Sequence, residues 1–98
     1  MIIYDTNTIE VKNAHGKHKE TGWLDRWANA RGIPNDGNID CSNLNCFDKA
    51  KDGGHVIKVG SDDEKVYIVP LCKSCNSPSH TVSFYVYENL LEYAQDLK

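Results

Sequence analysis

No stretch of this chain approaches the ~20 consecutive apolar residues of a membrane span. Its start, Met1-Ile2-Ile3-Tyr4-Asp5-Thr6-Asn7, carries neither a basic lead nor an apolar segment of secretory-signal length. A cytoplasmic protein that does not contact membranes is therefore expected. An excess of positive charge is also missing: 11 Lys and Arg stand against 14 Asp and Glu, for a net charge of −3. Counterion release from a polyanion needs clustered cations, so strong nonspecific nucleic-acid binding is disfavoured. The one basic cluster, His15, Lys17, His18 and Lys19, reads first as a solvated loop and second as a phosphate contact. Internal repeats, low-complexity tracts and linkers are lacking, so residues 1–98 are expected to form one domain. Nothing indicates a small-molecule cofactor.

A domain of 98 residues buries only about 60–65% of its unfolded surface, which leaves it in need of a staple. Four cysteines in two close pairs, Cys41-x4-Cys46 and Cys72-x2-Cys75, are suited to that role. Thiolates are soft ligands that hold Zn²⁺ at about 2.3 Å, and two such pairs brought together by a hairpin supply a closed tetrahedral site. The competing use is two disulfides, which requires an oxidising compartment. Spacing and expected compartment favour a structural Zn²⁺ held by Cys41, Cys46, Cys72 and Cys75, with iron as a minor alternative.

The rest of the pattern predicts a compact α+β unit built round that metal. Ile2 to Tyr4 and Thr8 to Val11 read as extended segments, an N-terminal strand or hairpin. Trp23, Leu24, Trp27 and Ala28 recur on one face of a helix over residues 22–31. Thr21 is its expected N-cap, Gly32 its left-handed stop, and Pro34 prevents continuation. The two tryptophans are expected in the core rather than as a base-stacking platform. Lys51-Asp52-Gly53-Gly54 reads as a turn. Runs 55–59 and 65–69 read as a hairpin closed by Pro70, and 81–87 as a further strand. Leu90, Leu91, Tyr93, Ala94 and Leu97 fall at helical spacing.

The segments Leu24-x2-Trp27, Gly53-Gly54-His55-Val56 and Tyr67-Ile68-Val69-Pro70-Leu71-Cys72-Lys73-Ser74-Cys75-Asn76, taken with Cys41 and Cys46, resemble treble-clef domains of the HNH endonuclease superfamily, and in particular a branch of small bacterial proteins. The resemblance spans about residues 23–86. It implies a zinc-stapled treble-clef, ββα-metal-like fold. It also implies His55 as a general base on the water that attacks a phosphodiester, with Asn76 near a second divalent cation. Neutral imidazole is a suitable base near pH 7, and a hard cation offsets charge developing on phosphate. In the family, a ligand side chain precedes the base; here that position is Gly54. Two expectations follow: a degenerate, zinc-stabilised module that binds protein or nucleic acid, with acidic balance favouring protein, or a working metal-dependent endonuclease with His55 as base and a cation held by Asn76 and a carboxylate from elsewhere, with His80 as an optional further ligand. The simpler readings are a strand-start His55 bonded within its turn, Asn76 as a cap, and His15 and His18 in solvent.

Overall fold

The computed structural model of the protein describes residues 7–14 and 22–97. Residues 1–6, the cluster His15 to Lys19 and the expected cap Thr21 lie outside that description. The elements are strand β1 (Thr8–Asn13), helix α1 (Trp23–Ala30) and strands β2 (Asp52–Lys58), β3 (Tyr67–Leu71), β4 (Phe84–Tyr87) and β5 (Glu92–Tyr93). The strands form one antiparallel sheet in the order β4-β1-β2-β3-β5. Among the described residues, no helix is long and apolar enough to cross a membrane.

Helix α1 forms where the apolar spacing predicts it and ends as expected. Gly32 takes φ 66°, its N–H bonds Asn29 O at 3.1 Å, and Ile33 N–H bonds Ala28 O at 3.1 Å. That pair of bonds is a Schellman stop, which satisfies carbonyls the helix end would otherwise orphan. At the other end Gly22, at φ 81°, occupies the N-cap position without a side-chain cap. The apolar face buries Trp23, Leu24, Trp27 and Ala28 against Ala50, Ile68 and Ala94. Both tryptophans are thus core residues, at 4% and 3% exposure. Trp27 also donates its indole N–H to Leu90 O at 2.8 Å.

Strand alternation divides the core in two. Ile68 faces α1, while Val56, Val69 and Leu71 face a second cluster with Val11, Phe84, Val86 and Cys41, Cys72 and Cys75. The sheet must curl to hold that second cluster. A flat five-stranded sheet would set its edges about 19 Å apart, yet only Glu88–Leu91 joins edge strand β4 to edge strand β5. Those residues reach about 18 Å when fully extended, and Glu88–Leu90 is wound into a shorter 3-10 turn. The segment around the first cysteine pair bridges the approaching edges: Ser42 N–H bonds Pro70 O on β3 at 2.8 Å, and Leu44 N–H bonds Tyr85 O on β4 at 3.0 Å.

Four elements differ from their sequence-based expectation. Asp52-Gly53-Gly54 is not a turn but the start of β2, because backbone and side chains approach too closely there for a Cβ. Pro70 lies inside β3 rather than ending it. It pairs with Gly53 where β5 no longer covers the outer edge, so its missing N–H breaks no ladder bond. Residues 88–97 are not one helix: two 3-10 turns flank β5, which takes the free edge of β3 through Tyr67 and Ile68, with Ala94 N–H on Val66 O at 3.0 Å. An open edge competes for the same backbone groups a helix would use. The further strand is shorter than expected, beginning at Phe84 rather than Thr81.

Candidate metal centre and the adjoining cleft

The first cysteine pair sits on a braced loop. Cys41 N–H bonds Asp48 O at 3.0 Å, Ala50 N–H bonds Ile39 O at 2.7 Å, and Asp40 pairs with Lys49 as an isolated β-bridge. The second pair follows β3 directly. There Asn76 N–H bonds Cys72 O at 3.0 Å, a single helical turn that leaves Cys72 and Cys75 on one side. The four sulfurs lie within 4.8 Å of one another, and Cys46 Sγ stands 3.7 Å from Cys72 Sγ. A tetrahedron with metal–sulfur bonds of about 2.3 Å has edges of about 3.8 Å. All four are free thiols rather than disulfides. The donor set and its spacing therefore fit a metal ion, and the sequence assignment of these four residues to one site matches their placement.

Burial pushes the Cys41 and Cys75 thiols up, well above the ordinary thiol range for Cys75. Burial acts on Cys72 in the same direction, but hydrogen bonds from Cys75 N–H and from neighbouring thiols outweigh it and hold Cys72 below the usual value. Cys75 N–H approaches Cys72 Sγ at 3.4 Å, and Asn43 donates from Nδ2 to Cys75 Sγ at 3.5 Å. Donors aimed at the sulfurs favour the charge-bearing thiolate and orient it.

Two polar residues escaped the sequence reading. Asn43 caps its own loop, taking Asn45 N–H on Oδ1 at 3.0 Å while its Nδ2 reaches Cys75. A polar residue between two cysteines gives no advance sign of that role. Asn13 did give one, because it continues the inward alternation of Ile9 and Val11 on β1. It donates from Nδ2 to Cys75 O at 2.8 Å and to His80 O at 3.1 Å, which ties the second cysteine turn to the sheet. Replacing it with alanine strips the buried Cys75 carbonyl and the part-buried His80 carbonyl of a donor. Asn13→Ala is expected to lower stability by about 1–3 kcal/mol, read as the urea midpoint of the metal-loaded protein.

A cleft of about 360 Å³ opens where the start of α1, the start of β2 and the second cysteine turn meet, and His55, Asn76 and Asp52 all line it. His55 is half-buried and meets the Trp23 ring edge-on, with centroids 4.9 Å apart. Its carbonyl takes Ala14 N–H at 2.8 Å. Asp52 lies within 3.9 Å of Lys73 Nζ. Gly54 faces away from the helix: a Cβ there would run into Leu71, with Leu71 Cγ at 2.9 Å and Asn76 Oδ1 at 3.0 Å. His80 does not line the cleft but packs edge-on against Phe84 at 5.5 Å. His15 and His18 lie outside the described residues. Compared with known family models, curated proteins and solved structures, the chain finds no match in any of the three.

Proposed function

We propose that the chain is a zinc-stapled, HNH-like treble-clef domain that works as a protein-binding module without phosphodiester chemistry, in a reducing compartment such as the cytoplasm. The metal is zinc in this reading because a closed set of four thiolates suits it and leaves no open position for substrate. The observation that carries the reading is the filled space at Gly54. A side chain placed there to hold a second cation beside His55 would have to displace Leu71, which is fully buried.

One observation favours a second reading, a metal-dependent endonuclease. Asp52 supplies a carboxylate to the cleft shared by His55 and Asn76, so the missing ligand has a candidate two positions earlier on the same strand. In that case His55 takes the proton from the attacking water, and a divalent cation near Asp52 and Asn76 would offset the charge on the phosphate.

Supercoiled plasmid incubated with zinc-loaded protein and Mg²⁺, Mn²⁺ or Ni²⁺ separates the two. The binding-module reading expects no nicking above that of His55→Ala. Nicking that disappears in a folded His55→Ala protein would establish the nuclease instead.

A further inference from the structure

Four exposed apolar side chains, Ile33 (40%), Leu44 (37%), Phe47 (96%) and Tyr87 (39%), line one groove of about 830 Å³ beside the first cysteine pair. Phe47 follows Cys46 on the loop braced by the Cys41 to Asp48 and Ala50 to Ile39 backbone bonds. A phenylalanine held in water forgoes the burial that would stabilise the fold, and a braced loop does not let it turn inward. Apolar side chains gathered in this way mark a surface that another molecule covers.

Charge narrows the occupant. Among the described residues, the groove lining includes the carboxylates of Asp36 and Asp40 and no lysine or arginine. Lys49 offsets Asp40 at 2.6 Å, so the acidic bias comes from Asp36 and from exposed Asp48 beside Phe47. A second copy of the chain would set one acidic rim against another. We infer that the groove docks an extended segment of another protein, with one bulky apolar side chain against Phe47 and Leu44 and Lys or Arg on either side. This rests on the binding-module reading and deepens it by naming the surface and the chemistry of the partner.

The test uses the metal-loaded full chain and immobilised short peptides of three kinds: a central Leu or Phe flanked by lysines, the same anchor flanked by glutamates, and lysine flanks around serine. Binding is expected for the first kind, roughly tenfold weaker or more for the other two, and roughly tenfold weaker again with Phe47→Ala. Ile33→Ala, at a lining position that neighbours no cysteine in the chain, is expected to weaken it severalfold. Asp36→Asn should cut the preference for lysine flanks by roughly threefold, with metal content and circular dichroism unchanged in all three variants. Binding indifferent to anchor, flank and Phe47 would overturn the inference. So would a concentration-dependent dimer that Phe47→Ala dissolves, since the occupant would then be a second copy. Absence of peptide binding without plasmid nicking overturns the groove assignment alone, whereas nicking that depends on His55 overturns the binding-module reading whatever the peptides do.

Discussion

Stripping the metal with a strong chelator is expected to unfold the protein, with loss of near-ultraviolet circular dichroism and recovery when zinc is returned. Cys41, Cys72 and Cys75 belong to the same cluster as Val11, Val56, Val69 and Phe84, so a metal held by these thiols would sit within the core and not merely decorate it. The segment it would anchor also closes the curled sheet through Ser42 and Leu44. Structural zinc contributes an apparent free energy of about 10–16 kcal/mol in zinc-finger peptides at neutral pH, as much as the whole net stability of a small domain. Any single Cys→Ser should therefore cost more than any surface substitution, with Cys46 the mildest of the four because it alone is half-exposed. Acid should act in the same direction as the chelator. Burial raises the Cys41 and Cys75 thiols, so without metal they hold their protons at neutral pH, and metal binding must release them. Lower pH therefore favours the metal-free state. A chelated protein that keeps its dichroism and its unfolding midpoint would refute the staple.

Gly53→Ala is expected to destabilise the protein strongly although it adds only one methyl group. The added Cβ would lie 2.6 Å from Trp23 C and Cβ and 2.7 Å from Leu24 N. Two of those three neighbours are backbone at the first turn of α1, and no rotamer change can clear them. The helix would have to lift from β2, opening the contact that buries Trp23 and Leu24. Overpacking of this kind costs about 1–3 kcal/mol, and the upper part of that range is expected here. Gly54→Ala meets only side chains, Leu71 and Asn76, so it should cost less and shift the His55 cleft instead. Urea unfolding of the metal-loaded variants ranks them, and an unchanged midpoint for Gly53→Ala would show that α1 is not seated on β2 as described.

These two glycines also show where sequence reasoning stopped. Cysteine spacing pointed to the four thiols that the fold gathers within 4.8 Å of one another, and the helix was legible because Trp23, Leu24, Trp27 and Ala28 repeat on one face and Gly32 ends it. The hairpin was recognised, but its strands run closer to the cysteines than expected, since local turn chemistry in Lys51-Asp52-Gly53-Gly54 was overridden by tertiary approach. Likewise, the spacing of Leu90, Leu91 and Tyr93 fits a helix in isolation. Only the free edge of β3, which no local pattern announces, turns Glu92 and Tyr93 into a strand. In the cleft, the family resemblance implies a shared site for His55 and Asn76, whereas the turn chemistry around Asp52 gives no sign that its carboxylate joins them.

Native mass spectrometry of protein purified under reducing conditions tests the central claim most directly. The account predicts one zinc ion per chain in the folded protein, lost on acid denaturation to leave four free thiols that alkylate fully. A metal-free folded chain, or one whose mass and alkylation show two disulfides, would contradict it.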